Sequence, residues 1–120
     1  MAMETAEAAC VFCKIVRGDI GTEFVAESPA AVAFRDLSPQ APTHVLVVPR
    51  EHLTGLRSLG PERAALGGEL LQLAAEVARR EGLFEGGYRV VINDGADAGQ
   101  TVFHLHLHVL GGREIAALLA

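Results

Sequence analysis

The sequence predicts an α+β domain in which an antiparallel sheet packs against one long helix. Strand-like runs separated by turn residues fill residues 23–48, a helical pattern fills residues 61–82, and two further strand-like runs follow. This order, β-β-β-α-β-β, groups the strands on either side of one helix, which is typical of an antiparallel sheet. A chain of 120 residues, half of them hydrophobic, is long enough to form one such domain.

Three strands are predicted before the helix, each bounded by turn residues. They cover Glu23 to Glu27, Ala31 to Arg35 and His44 to Val48. The third run lies between Pro42 and Pro49 and is apolar at every position after its histidine. A strand that is apolar on both faces is typical of the centre of a sheet, so we expect this run to be buried on both sides.

The long helix is predicted between Pro61 and Gly82. Proline is favoured at the first helical position, and glycine is favoured just after a helix ends. Between them, apolar residues fall on one face at helical spacing: Leu66, Leu70, Leu73 and Val77. Gly67 and Gly68 each cost about 1 kcal/mol relative to alanine inside a helix, so the first turns are its weakest part.

After the helix, one strand is predicted over Tyr88 to Asn93 and a second over Phe103 to Val109, where three of the five histidines alternate with apolar residues. In a strand, successive side chains point to opposite faces. The histidine face then holds His104, His106 and His108, and the core face holds Phe103, Leu105, Leu107 and Val109. Neighbouring imidazoles stand roughly 7 Å apart and the outer two roughly 13 Å apart, which is too far to share one ion.

Three interpretations of the alternating histidines are open from the residues alone. They form an inert polar face, or an adjacent pair binds a metal ion, or they catalyse chemistry at phosphorus. Histidine suits the third because its pKa lies near neutrality, so that one imidazole attacks while a neighbour donates a proton. The loop from Asn93 to Thr101 contains glycines that let backbone N–H groups approach an anion, although an ordinary strand connection has the same composition.

Composition narrows the class of protein. The formal net charge is -5 and no lysine or arginine cluster is present to neutralise successive phosphates, so we expect no binding to nucleic acid. No apolar stretch approaches the roughly 18 residues of a membrane span, and the N-terminal residues lack the basic start and apolar centre of a signal peptide. We therefore expect a soluble, cytoplasmic protein that does not bind membranes.

Four segments resemble the histidine triad (HIT) superfamily. GQTVFHLHLHVLGGR is similar to its H-φ-H-φ-H-φ-φ signature, and AFRDLSPQAPTHVLVVPREHL, CVFCKIVRGDI and GYRVVINDG resemble the Hint branch, the histidine triad nucleotide-binding proteins. The similarity covers Cys10 to Arg113, so we expect a domain over residues 10–113, with a flexible start at 1–9 and a tail at 114–120. The resemblance implies a mainly antiparallel sheet of about five strands, one long helix and a short N-terminal helix.

The resemblance also implies an activity, namely hydrolysis of purine nucleoside phosphoramidates such as adenylylated amines, with a nucleotidyl-histidine intermediate. His106 would be the nucleophile on the α-phosphorus, His108 the proton donor, and His104 the residue that orients His106. It implies no cofactor for that chemical step. The matching nucleotide-contacting positions are Asn93, Gly99, Gln100 and Thr101 on the phosphate side, Asp36 at the ribose, Phe12, Ile15, Ile20 and Phe34 at the base, and His44 close to the triad.

Cys10 and Cys13 form a C-x-x-C pair, which in a reducing compartment indicates metal or redox chemistry rather than a disulfide. In bacterial-type Hint proteins and the related galactose-1-phosphate uridylyltransferases, which this chain resembles here, such a pair joins two histidines around a structural zinc ion. The matching set in this sequence is Cys10, Cys13, His52 and His104. The alternative is two buried thiols without a metal.

Two alternatives to a phosphoramidase remain open. One is a dinucleoside polyphosphate hydrolase of the same superfamily, and the other is a non-catalytic module that binds nucleotides or proteins. The resemblance also implies a homodimer in which two sheets join. Hint proteins often continue after L-G-G-R into a tail with tryptophan and prolines, whereas residues 114–120 here contain neither.

Overall fold

A computed structural model of the protein describes residues 6–115, with side chains described from residue 8 onward. Residues 1–5 of the expected flexible start and residues 116–120 of the expected tail lie outside the described residues. The strands within this range are β1 (Ala26–Glu27), β2 (Ala31–Arg35), β3 (Thr43–Pro49), β4 (Tyr88–Val91) and β5 (Leu107–Gly111). They form one sheet in the order β1-β2-β3-β5-β4, in which every neighbouring pair is antiparallel.

Helices cover both faces of this sheet. The described α-helices are α1 (Ala6–Ala9), α2 (Val11–Arg17) and α3 (Ala64–Arg80). Short 3-10 turns occupy Leu56–Ser58, Pro61–Arg63 and Ala96–Ala98. The predicted α+β class is confirmed, with one long helix (α3) and a short N-terminal helix (α2) against an antiparallel sheet. None of the helices in the described range has the length and apolar character needed to cross a bilayer.

Strand β3 lies at the centre of the sheet and is buried on both faces, as its apolar pattern predicts. Val45 and Val47 belong to a core between the sheet and α3. Leu46 and Val48 belong to a second core between the sheet and α2. Because both cores hold β3 in place, it is a fixed partner for β5, the strand that carries the last histidine of the alternating run.

The long helix begins later than the sequence predicts. Pro61–Arg63 forms a 3-10 turn, and α3 starts at Ala64. Gly67 lies where the helix approaches the preceding loop, since a Cβ at this position would be 3.1 Å from Leu59 Cδ2. This close approach explains a glycine that helix propensity alone disfavours.

The histidine-bearing strand is shorter than predicted, because β5 begins at Leu107 rather than at Phe103. Continuing the β3–β5 register backward places Leu105 opposite Pro49, which has no N–H group to offer the ladder. Leu105 instead donates its N–H to the Leu53 carbonyl oxygen at 2.6 Å. Leu105 and Leu107 are buried as predicted, whereas Phe103 is 52% exposed and does not face the core.

Candidate active site

A cavity of about 390 Å³, the central cavity, lies between α2 and the sheet. Its walls bring together residues from five separate segments of the chain. The lining includes eight residues that the sequence placed at a nucleotide site: Phe12, Ile15, Ile20, Phe34, Asp36, Thr101, His106 and His108. The apolar members, the single carboxylate and the two histidines therefore share one site, as the resemblance implies.

Helix α2 forms the apolar wall of the central cavity. It begins after Cys10, whose sulfur accepts a hydrogen bond from the Cys13 N–H, and it ends at Gly18, whose φ of 83° is a conformation that favours glycine. Phe12 and Ile15 lie three residues apart on the buried face of this helix. They pack against the sheet in the second core, so the short helix is held by burial rather than by its own length.

The His106 imidazole has a defined tautomer. It is 8% exposed, and its Nδ1 lies 2.6 Å from the His104 carbonyl oxygen. Because a carbonyl oxygen only accepts, Nδ1 carries the hydrogen and donates it. The neutral ring then keeps a lone pair on Nε2, which is the nitrogen available as a nucleophile. The edge of Phe12 packs on this ring, with centroids 5.1 Å apart, and limits its rotation.

The His108 imidazole is held in the opposite tautomer by a chain of hydrogen bonds. The backbone N–H of Gln40 donates to His44 Nδ1 at 3.1 Å, so the hydrogen of the neutral His44 ring is on Nε2. His44 Nε2 lies 2.8 Å from His108 Nδ1 and donates to it. The hydrogen of the neutral His108 ring is therefore on Nε2. One imidazole at this end of the cavity offers a lone pair and the other offers an N–H donor.

The two imidazoles are closer together than strand geometry predicts. The ring centroids of His106 and His108 are 5.0 Å apart, compared with the roughly 7 Å between alternate residues of a regular strand. His106 precedes the start of β5, and its ring is turned to the His104 carbonyl oxygen. The shorter separation lets both rings contact one phosphoryl group.

Burial keeps His108 and His44 neutral at neutral pH. Desolvation, together with the nearby imidazoles of His106 and His44, lowers the pKa of His108 to about 4, and the Asp36 carboxylate opposes this shift. Burial also lowers the pKa of His44, again against the attraction of Asp36. An anion beside His108 would favour the charged imidazolium and so raise the pKa of His108.

Asp36, His44 and His108 form a group whose potential ligand atoms all lie within 4.8 Å of one another. The hydrogen bonds argue against a metal ion there, because His44 Nε2 carries a hydrogen and has no lone pair to offer. Asp36 lies 3.4 Å from His44 Nε2 through Oδ2, and its Oδ1 accepts the Ser38 N–H at 2.8 Å. The hydrogen bonds from Gln40 to His44 and from His44 to His108 orient His108, and Asp36 lies beside them as a nearby negative charge.

The residues of the loop before the histidines lie in different parts of the site. Thr101 lines the central cavity, whereas Asn93 lies beside His44 and His108 in a smaller cavity of about 70 Å³. Gly99 ends the 3-10 turn of this loop with a φ of 89°, a conformation that favours glycine.

Gln100 lies outside the lining of the central cavity and is only 5% exposed. Its Oε1 accepts the Gly95 N–H at 2.7 Å, and its Nε2 donates to the carbonyl oxygens of Thr54 at 2.7 Å and Val102 at 3.1 Å. Both of its N–H groups are thus engaged within the protein. The side chain ties together the segments that position Thr101, and the phosphate contact that the resemblance implies for Gln100 stays a prediction.

The four predicted metal ligands converge on the other side of α2. Cys10 Sγ and Cys13 Sγ lie 3.4 and 3.5 Å from His104 Nδ1, and Cys13 Sγ lies 3.2 Å from His52 Nδ1. His104 Nε2 donates to the Pro49 carbonyl oxygen at 2.9 Å, so the Nδ1 lone pair of its neutral ring points at the sulfurs.

These four residues fit a tetrahedral zinc ion. Zn–S bonds of about 2.3 Å and Zn–N bonds of about 2.0 Å place sulfur and nitrogen ligands roughly 3.5 Å apart, which matches the observed sulfur–nitrogen distances. His52 Nε2 is a buried polar atom with no hydrogen-bond partner among the described residues. An ion bound to Nδ1 would fix the hydrogen of this ring on Nε2.

The sequence missed part of the lining of the central cavity. Leu46 could have been found, because it faces away from Val45 and Val47 on a strand that was predicted to be covered on both sides. Leu37 also lines the cavity and is 98% exposed. It lies outside the predicted strands, so no strand pattern indicates which way it faces. The remaining residues that were missed are Val11, Thr22, Arg35 and Val102.

A five-stranded antiparallel sheet that presents alternating histidines to a cavity beneath a short helix defines a histidine triad protein. The family described as HIT domain matches residues 17–115, and the chain belongs to that family. It is 39% identical over 110 residues to the purine nucleoside phosphoramidase of Escherichia coli, covering 92% of each chain.

Solved structures share both the fold and much of the sequence. A HIT family hydrolase from Legionella pneumophila matches with a TM-score of 0.86 and 42% identity, over 90% of this chain and 96% of the other. A zinc-bound histidine triad family protein from Mycobacterium smegmatis matches with a TM-score of 0.76 and 38% identity, over 94% of this chain and 81% of the other.

Proposed function

We propose that the protein is a hydrolase that cleaves purine nucleoside phosphoramidates through a nucleotidyl-histidine intermediate on His106. The observation that carries this proposal is the pair of opposite tautomers in the central cavity. His106 offers an Nε2 lone pair and His108 offers an Nε2–H, with the rings 5.0 Å apart. The 39% identity to a purine nucleoside phosphoramidase supports the choice of substrate class.

The cavity supplies a contact for each part of a nucleotide. The aromatic and aliphatic side chains on α2 and β2 offer an apolar slot for a base, with Phe12 and Phe34 5.5 Å apart edge to face. The Asp36 carboxylate is a hydrogen-bond acceptor for ribose hydroxyls at the rim of this slot. Thr101 adds a hydroxyl donor near the two histidines, where the phosphoryl group is placed.

The reaction proceeds in two displacements at phosphorus. First, His106 Nε2 forms a bond to the α-phosphorus as the P–N bond breaks, and the leaving nitrogen takes up a proton. The bound anion raises the pKa of His108, which gains a proton and delivers it to that nitrogen. Second, water attacks the phosphorus and gives a proton back to His108, the bond to His106 breaks, and the nucleoside monophosphate is released with His106 restored.

Hydrolysis assays separate this function from its alternatives. The protein is incubated with adenosine 5′-phosphoramidate and, separately, with diadenosine tetraphosphate. We expect release of adenosine monophosphate from the first substrate, and a loss on the order of 10³-fold or more in the His106→Ala variant. Hydrolysis of diadenosine tetraphosphate alone would identify the other hydrolase class. Nucleotide binding without turnover would identify a non-catalytic module.

We propose that Cys10, Cys13, His52 and His104 hold a structural zinc ion. The convergence of their ligand atoms and the zinc-bound relative from Mycobacterium smegmatis support this proposal. The ion would cross-link α2, and with it the apolar slot, to the segment before β5. Elemental analysis of the purified protein is expected to find one zinc per chain, and a Cys13→Ala variant is expected to lose the zinc and melt at a lower temperature. The assignment would be contradicted if the parent protein were purified without zinc and melted at the same temperature as the Cys13→Ala variant.

We further propose that the protein acts as a cytoplasmic homodimer. Neither cysteine is in a disulfide, which fits a reducing compartment. β4 is an edge strand of the sheet. Its first residue, Tyr88, stacks on Phe84 with centroids 6.0 Å apart, although the two are 38% and 59% exposed. Light scattering after gel filtration is expected to give twice the chain mass of 12.7 kDa. A monomer at micromolar concentration would refute the dimer.

A further inference from the structure

A second concave surface, the side groove, adjoins the central cavity. It has a volume of about 370 Å³ and lies between the start of α2 and the loop that precedes β5. Val11, Thr101 and Val102 line both the side groove and the central cavity. The two spaces therefore share a wall at Thr101, next to the position proposed for the phosphoryl group.

The side groove has a neutral and largely apolar lining. Phe103 and Val11, which line it, are 52% and 42% exposed, and Thr54 and Thr101 add hydroxyl groups. None of the described residues that line it is lysine, arginine, aspartate or glutamate. Cys10 and His52 also line the groove, as two of the four proposed zinc ligands. An aromatic or aliphatic group finds exposed apolar surface to cover at Val11 and Phe103.

We infer that the side groove binds the apolar substituent of the leaving amine when a nucleoside phosphoramidate occupies the central cavity. This inference rests on the proposed function and extends it to the other half of the substrate. An amine bonded to the phosphorus near Thr101 has its nearest apolar surface in this groove. Phe103 is then a specificity residue, and its exposure, which the strand pattern did not predict, has a use.

The expected preference for amines with an apolar substituent follows from the way the P–N bond is cleaved. As the P–N bond breaks, the amine leaves with its substituent and one added proton, and the nucleotidyl group stays on His106. Contacts between the groove and an aromatic substituent bring that amine into the reactive complex, so they raise kcat/KM for substrates that carry it. An unsubstituted phosphoramidate, whose leaving group is ammonia, gains nothing from the groove.

Two substrates and two matched variants test the inference. The substrates are adenosine 5′-phosphoramidate and the adenosine phosphoramidate of 2-phenylethylamine. Phe103→Ala is expected to lower kcat/KM for the phenylethylamine substrate about tenfold and to leave the unsubstituted substrate unchanged within about twofold. Leu71→Ala, which removes an exposed apolar side chain on α3 outside the groove, is expected to leave kcat/KM for both substrates unchanged.

The outcomes separate failure of the groove from failure of the proposed function. If the parent protein hydrolyses both substrates and Phe103→Ala lowers them equally, or lowers neither, the groove does not bind the leaving amine. If the parent hydrolyses neither substrate, the proposed function itself fails and the inference fails with it. A parent that prefers the phosphoramidate of glycine, whose leaving group is anionic, over that of phenylethylamine would also overturn the inference.

Discussion

Gln100 provides a sharp test of how the phosphate-side loop is built, because Gln100→Ala removes three hydrogen bonds from a residue that is only 5% exposed. Each such bond contributes about 0.5–1.5 kcal/mol, so the free energy of unfolding is expected to fall by about 2–4 kcal/mol. For a domain of this size, that loss lowers the melting temperature by roughly 6–20 °C.

The assay combines thermal unfolding, followed by circular dichroism, with steady-state kinetics on adenosine 5′-phosphoramidate. Gln100→Glu is the matched control, because it keeps an acceptor for the Gly95 N–H but replaces both N–H donors. At pH 7 it is expected to be at least as destabilising as alanine, since its carboxylate faces two carbonyl oxygens. A Gln100→Ala protein of unchanged melting temperature but tenfold higher KM would refute the reasoning and make Gln100 a direct substrate contact.

His44→Ala should lower kcat about 10–100-fold with little change in KM, because His108 loses the donor that fixes its tautomer; Gln40→Ala, which keeps its backbone N–H, serves as the control in steady-state kinetics. The pKa values of His44 and His108 are lowered in the native state, so below pH 6.5 the native state binds fewer protons than the unfolded chain. Urea unfolding between pH 7 and 4 should therefore show the free energy of unfolding falling below about pH 6.5, by up to about 1.4 kcal/mol per pH unit for each of the two histidines. Gly112→Ala should lower the free energy of unfolding by about 1–3 kcal/mol, since the φ of Gly112 is 94° and an added Cβ would lie 2.8 Å from Pro42 Cβ. In the same assay Gly86→Ala should be tolerated, because a Cβ there meets nothing within 4 Å.

The spacing of the apolar residues and the positions of the turn residues were enough to predict most of the fold. Ala31–Arg35 is the β2 strand with the predicted bounds, and the apolar run after His44 is the buried central strand. The start of β5 could not be predicted in this way, because it depends on the residue across the sheet. Pro49 interrupts the ladder there, and this effect is visible only once the register is known.

The candidate site was predictable where its residues form local motifs. The alternating histidines and the C-x-x-C pair are such motifs, and the family resemblance added the distant His52. The tautomers were not predictable, since they depend on the backbone N–H of Gln40 and the carbonyl oxygens of Pro49 and His104. Every residue type supplies such a carbonyl oxygen, and every type but proline supplies such an N–H. The hydrogen bonds of Gln100 within the loop were also not predictable, because a glutamine side chain can bond to a phosphate as well as to backbone groups.

The central claim is that His106 Nε2 attacks phosphorus, and trapping the intermediate tests it most directly. The protein is mixed with adenosine 5′-phosphoramidate, quenched in alkali within milliseconds, digested and examined by mass spectrometry. We predict an adenylyl group on His106, and none on any peptide of the His106→Ala variant. An adenylyl group on His108 or His104, or full turnover by His106→Ala, would contradict the account.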